Sequence, residues 1–151
     1  MYQIAKTWKF HAGHRLQGLP VGHKCSRLHG HTYSIELCLG GTALDDSGMV
    51  MDYAEMEELV KPFLTKWDHR ILLRQDDPAV NVLRRGGEEE SLVVLADNPT
   101  AETMARMVFD GASFMLTQKL GGGYDPNAPI KVLWVEVKES PTSMARVGVG
   151  G

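Results

Sequence analysis

Two stretches of this chain, Ile4–His14 and His29–Leu39, alternate apolar and polar side chains with period two. That period is the signature of a strand burying one face. In the first stretch Ile4, Trp8, Phe10, Ala12 and His14 share a face, with Lys6 as the exception, and His11 falls on the other. In the second, His29, His31, Tyr33, Ile35, Leu37 and Leu39 share a face, opposite Thr32, Ser34, Glu36 and Cys38. The intervening loop carries Gly18, Pro20 and Gly22, which suits a connection between strands. An antiparallel pairing of the two brings His14 toward His29 and His31.

The rest of the chain reads as a mixture of helix and strand. Asp52 is an N-cap with Glu55 three residues later, opening a helix from Tyr53 to about Lys66. Its apolar stripe is Tyr53, Met56, Leu59, Val60 and Phe63, and Pro62 predicts a kink or an early end. The apolar run Ile71-Leu72-Leu73 follows. Segment 74–97 carries weaker signals: a helix start at Asp76-Asp77-Pro78, a solvated charged loop at 84–90 and a short strand at Leu92–Leu95. Thr100 caps a helix of about twenty residues with Met104, Val108, Ala112, Met115 and Leu116 on its apolar side, closed by Gly121-Gly122-Gly123. Ile130–Lys138 is the last strand, with Leu133, Val135 and Val137 on one face and Glu139 next on that face. The expectation is one domain, residues 1–151. Its class is α+β: an antiparallel β-sheet with two helices packed on one face. The other face is left for a second subunit or for solvent.

Composition narrows the function classes. The net charge is −3 and there is no basic run, which argues against nucleic acid. No apolar run is long enough for a membrane span, and the first ten residues lack a signal-peptide core. Cys25 and Cys38 do not make a disulfide framework, so a reduced, cytoplasmic protein is expected. Cys38 reads as an inert thiol.

The chemistry concentrates in Cys25-Ser26-Arg27-Leu28-His29-Gly30-His31. Imidazoles at i and i+2 lie on one strand face and can share a metal ion. His14 is the third ligand by facing. Three neutral nitrogens with one open position suit a catalytic Zn²⁺. Cys25 has three readings: a fourth ligand closing a structural site, a nucleophile, or a general base made more acidic by the nearby cation. Asp68-His69 is an acid/base pair if the loop brings the side chains together, and two solvated residues otherwise. Glu139 is a site carboxylate or simply the point where a strand reaches water.

Five segments, Phe10-His11-Ala12-Gly13-His14-Arg15-Leu16, Cys25–His31, Asp68-His69, Asn98-Pro99-Thr100-Ala101-Glu102 and Lys138-Glu139, resemble the 6-pyruvoyl-tetrahydropterin synthase family, in the family's order. The spacing of Cys25 from His29 resembles its carboxy-forming branch, which serves queuosine (7-deazaguanine) synthesis. The resemblance implies Zn²⁺ on His14, His29 and His31, Cys25 as general base, and Asp68 with His69 as a proton relay. It also implies Glu139 as the pterin anchor, with Thr100 and Glu102 nearby. The implied substrate is 7,8-dihydroneopterin triphosphate, and the products are 6-carboxy-5,6,7,8-tetrahydropterin, acetaldehyde and triphosphate. The implied fold is the tunnelling fold, a homo-oligomeric barrel, often a hexamer, with sites between subunits. The alternatives are elimination of triphosphate to a 6-pyruvoyl product, or a non-catalytic zinc or pterin module. Arg15, Lys24 and Arg27 are candidates for the triphosphate. The length of 74–97 and the ending Ser140–Arg146 depart from the family pattern.

Overall fold

The computed structural model describes residues 1–122 and 128–149. The two alternating stretches become β1 (Tyr2–His14) and β2 (His29–Gly41). They pair antiparallel with Phe10 opposite Tyr33, Gly13 opposite Gly30 and His14 opposite His29. The even positions of β1 turn inward, and Gln3, Ala5, Thr7, Lys9 and His11 are exposed. Lys6, the polar residue on the inward face, is met by a helix. Its Nζ and the Trp8 Nε1 both donate to Glu57 Oε2, at 2.8 and 3.1 Å.

The helix expected after Asp52 is divided in two. Asp52 caps α1 (Tyr53–Glu58) by accepting from the Ala54 N–H at 2.6 Å. Pro62 then sits in the first turn of α2 (Lys61–Trp67), where its missing N–H leaves no bond unmade. After α2 come β3 (Arg70–Arg74), α3 (Pro78–Arg85) and β4 (Leu92–Leu95). Asp77 caps α3, as the sequence suggested, and the charged loop beyond it is exposed. Thr100 caps α4 (Ala101–Lys119) through the Thr103 N–H, and the chain finishes in β5 (Ile130–Ser140) and β6 (Ser143–Gly148). Gly121 and Gly122 follow α4 with positive φ, where a missing Cβ removes the steric cost. Gly123, the last of the expected glycine stop, lies outside the described residues.

The six strands lie in the order β4-β3-β1-β2-β5-β6. Antiparallel pairing holds from β1 through β2 and β5 to β6, but β3 joins β1 in parallel and β4 joins β3 in parallel. The sheet is therefore mixed rather than wholly antiparallel, within the α+β class expected. The chain reaches β3 from β2 through α1 and α2, and β4 from β3 through segment 74–97. Its helix α3 supplies the long crossover that a parallel neighbour requires. Ile71–Leu73 and Leu92–Leu95 are too short to display a pairing direction in their side-chain pattern.

Helix α2 packs against β1 and β3, and α4 against β5 and β6. Between helices and sheet lie Phe10, Tyr33, Ile35, Trp67, Met104, Val108 and Ala112, all at 0–1% exposure. The Phe10 and Tyr33 rings stack at 5.1 Å. β5 contains a bulge: Trp134 pairs with Cys38 but Val132 pairs with Leu39. Leu133 is the extra residue. The inward stripe is therefore Val132, Val135 and Val137, and Leu133 lies over Gly40, where a Cβ would come within 2.8 Å of it. Each deletion from this core removes both transfer energy and contacts. Met104→Ala should cost about 2–5 kcal/mol of unfolding free energy, while Val82→Ala on the exposed side of α3 stays within about 0.5 kcal/mol. Urea midpoints at unchanged slope read both values; equal midpoints for the two variants would contradict this core.

Candidate metal centre and active site

His14, His29 and His31 converge at the end of the β1–β2 pair. One ring nitrogen from each lies within 4.8 Å of the others. The His14 and His29 rings are 4.6 Å apart, and the Nε2 atoms face each other at 3.1 Å. The other nitrogen of each ring is occupied. His14 Nδ1 donates to the Pro99 carbonyl at 2.8 Å, and His29 Nδ1 donates to the Arg27 carbonyl at 2.6 Å. A neutral imidazole that donates from Nδ1 has only a lone pair at Nε2. Two lone pairs therefore point at one another, an arrangement that is repulsive unless a cation stands between them. Carbonyls that fix the tautomer and aim the ring are the usual outer shell of metal-binding histidines. The donor set fits a metal ion held by three nitrogens.

Electrostatics agree with the geometry. Burial holds His14 below the ordinary imidazole value, helped by its histidine neighbours and opposed by the Pro99 hydrogen bond and the Glu139 charge. Burial likewise lowers His31, against the Glu139 charge. Both directions favour the neutral imidazole, the form that can coordinate. Tyr33 forms the floor, its ring edge-on to His14 at 5.9 Å and to His31 at 5.4 Å.

The three histidines open into a cleft of about 940 Å³. Cys25, Thr100, Glu102 and Glu139 line it with them. Cys25 sits in a 3-10 turn, Lys24–Ser26. Its N–H donates to His23 Nδ1 at 3.1 Å, and its carbonyl accepts from the Leu16 N–H at 2.9 Å. The thiol is half-buried and does not belong to the cluster of mutually close donor atoms. The histidine triad thus faces the cleft. Thr100 and Glu102 reach the cleft because they begin α4. Glu139 reaches it through a second irregularity: Lys138 pairs with Met144 and Ser140 with Ser143, so Glu139 is an extra residue. Bulges commonly re-aim a side chain beside a site. The same hairpin brings Ser143 and Met144 to the lip. No sequence signal marked β6, because only Ala145 and Val147 of its six residues turn to the core, too few to display a period.

Lys24 and Arg27 line the cleft, but Arg15 does not. Its guanidinium is engaged by Asp77. Cys38 is buried, and burial pushes its thiol up, in keeping with an inert group.

Asp68 and His69 do touch, with His69 Nδ1 and Asp68 Oδ2 at 3.0 Å. Asp68 Oδ1 also accepts from the His11 N–H at 2.8 Å, and the His69 N–H donates to the His11 carbonyl at 2.6 Å. The His11 N–H first, then His69, hold the Asp68 carboxyl below its usual range against a modest cost of burial. His69 adopts φ 58°, a left-handed conformation that non-glycine residues rarely take. This pair does not line the cleft. It is exposed beside His11, on the opposite side of β1 from His14. His11 is thus a partner that the sequence reading passed over; its place on the outer face of β1 was the available signal.

The buried imidazole has a consequence for folding. The unfolded chain takes up a proton near pH 6.5, whereas the folded chain takes it only at lower pH. Stability of the metal-free protein should be highest above that value and fall as pH drops below it, levelling off past the lowered folded value. Urea midpoints from pH 7.5 to 5 on chelator-treated protein measure this, and His14→Asn should flatten the slope. A flat wild-type profile would contradict the burial argument.

The sequence profile described as 6-pyruvoyl tetrahydropterin synthase matches residues 3–148. A protein of Aquifex aeolicus named 6-carboxy-5,6,7,8-tetrahydropterin synthase is 30% identical over 95% of this chain and 96% of its own length. A Halobacterium salinarum relative is 44% identical, over 62% of this chain and 57% of its own length. A crystal structure of an uncharacterized Wolinella succinogenes protein superimposes with a TM-score of 0.79 at 27% identity, covering 97% of each chain. The Caenorhabditis elegans 6-pyruvoyl tetrahydropterin synthase, at 22% identity and a TM-score of 0.65, shares the fold. With the profile spanning nearly its whole length and its histidines gathered as described, this chain belongs to the 6-pyruvoyl tetrahydropterin synthase family.

Proposed function

We propose that the chain is a zinc-dependent 6-carboxy-5,6,7,8-tetrahydropterin synthase of queuosine (7-deazaguanine) biosynthesis. It converts 7,8-dihydroneopterin triphosphate, with uptake of water, to the 6-carboxy product, acetaldehyde and triphosphate. The observation that carries the reading is the pair of facing Nε2 lone pairs at 3.1 Å, opening into a cleft that also holds a thiol and a carboxylate. The curated relatives of this name support the choice of product.

His14, His29 and His31 hold the ion. Bound there, Zn²⁺ would supply Lewis-acid chemistry, making C–H and O–H bonds of the substrate side chain more acidic. Cys25, as thiolate, takes a proton from carbon. Glu139 accepts N–H bonds from the pterin edge, with Thr100 and Glu102 beside it on the α4 wall. Lys24 and Arg27 at the cleft serve the triphosphate. Asp68 holds the His69 imidazole in one tautomer and orientation, so that His69 moves a proton at the far side of the substrate side chain.

Within one chain the His69 pair faces away from the cleft. A neighbouring subunit therefore supplies it, and the protein works as a homo-oligomer, a hexamer being favoured. The uncovered sheet face that invites this contact is polar along β1, so exposure of apolar surface is not the argument for assembly. The argument is that the catalytic set is complete only with a second copy.

Trapping volatile aldehyde and measuring product mass from 7,8-dihydroneopterin triphosphate tests the reaction. Acetaldehyde together with the carboxylated pterin is expected; a 6-pyruvoyl product without acetaldehyde would move the chain to the eliminating branch. Cys25→Ala should keep full zinc content and lose turnover by at least about a hundredfold, as for removal of a general base. Loss of zinc in that variant would point instead to a closed Cys-His₃ site.

Shared sites give a further test. Cys25→Ala and His69→Ala subunits, each inactive alone, should regain part of the activity when dissociated and reassembled together, because some sites then combine an intact thiol with an intact imidazole. No regain from assemblies shown to be mixed would mean that each subunit uses its own pair.

A further inference from the structure

Asp77 is a carboxylate with no exposed side-chain surface, on the segment between β3 and β4. Its two oxygens have four donors. Arg15 Nε reaches Oδ2 at 2.8 Å, and Arg15 Nη2 bonds Oδ1. Gln17 Nε2 donates to Oδ2 at 2.8 Å, and the Ala79 N–H to Oδ1 at 2.8 Å. Burial would push the Asp77 carboxyl up, yet Arg15, Ala79 and Gln17 together hold it below the usual range. A buried charge so fully bonded locks whatever supplies the donors.

Three of the four donors come from Arg15 and Gln17, directly after His14. Gln17, held by Asp77, clips a second loop through its backbone. The Gln17 N–H donates to Asn98 Oδ1 at 2.8 Å, and Asn98 Nδ2 donates back to the Gln17 carbonyl at 2.9 Å. The residue after Asn98 is Pro99, whose carbonyl receives His14 Nδ1. The Thr100 N–H closes onto the Asn98 carbonyl at 2.8 Å before α4 begins. One carboxylate thus braces His14 from both directions: along the chain through Arg15, and across space through Gln17, Asn98 and Pro99.

We propose that Asp77 is a positioning residue for the metal centre, fixing the carbonyl that aims His14. Arg15 is its counter-ion rather than a triphosphate ligand. This rests on the metal reading above, and it gives segment 74–97 a function: it carries the brace.

The test measures metal directly. Wild type, Asp77→Asn and Asp76→Asn are titrated with Zn²⁺ against a chromophoric chelator at constant pH, with folding checked by circular dichroism. Asp76 is the neighbouring exposed carboxylate, paired with Arg74. Asp77→Asn should weaken Zn²⁺ about tenfold, the scale of outer-shell losses, and should alter the visible spectrum of the Co²⁺-loaded protein. Asp76→Asn should do neither. A merely structural Asp77 would lower the melting temperature and leave the affinity of the folded protein unchanged; wild-type affinity in folded Asp77→Asn overturns the proposal. If that variant does not fold, Asn98→Ala, which cuts the clip and leaves Asp77 bonded to Arg15, must show the same weakening, and an unchanged affinity there overturns it equally. A wild-type chain that binds no Zn²⁺ overturns the metal reading and this proposal together.

Discussion

The position of His14 opposite His29 is the constraint from which the rest follows. It places the two Nε2 atoms 3.1 Å apart, a distance that suits a shared cation. Register is what sets it. The same alternation that buries Phe10, Tyr33, Ile35 and Leu37 decides which way the histidines turn, so the hydrophobic effect enforces the ligand geometry. Moving the pairing by one residue would dissolve the core and the centre together. Gly13 opposite Gly30 continues the pairing between ligand-bearing residues without adding bulk: a Cβ on Gly30 would stand 3.2 Å from the Ala12 carbonyl.

Legibility in the sequence followed the strength of local signals. The β1–β2 pair, the Asp52, Asp77 and Thr100 caps and the histidine triad rest on alternation or on a side chain bonding its own neighbourhood, and all are visible in one dimension. Both bulges were invisible. Leu133 and Glu139 each add a residue without breaking the apolar count, so the last strand read as regular although its inward stripe passes through Val132. The parallel addition of β3 and β4 was also hidden, because three or four apolar residues in a row carry no direction.

Side-chain partners distant in sequence were the other gap. Arg15 and Asp77 are 62 residues apart, and nothing in either local pattern announces the pair. Asp77 was recognised only as a helix start, which is one of its roles. Asp68 and His69 were recognisable as chemistry, but their direction was not. Hydrogen bonds to His11 set it, and these belong to the tertiary structure.

Strand β1 ends with His11 on one side of the sheet and His14 on the other, three positions further on. This short length of backbone serves both faces of the sheet: it carries a histidine of the triad on one and holds the Asp68–His69 pair on the other. An extended strand transmits displacement along its axis with little slack, since its peptide bonds are laddered on both sides, to β2 and to β3. A shift of the strand at His14 is therefore felt at His11 and, through its backbone bonds, at the Asp68–His69 pair.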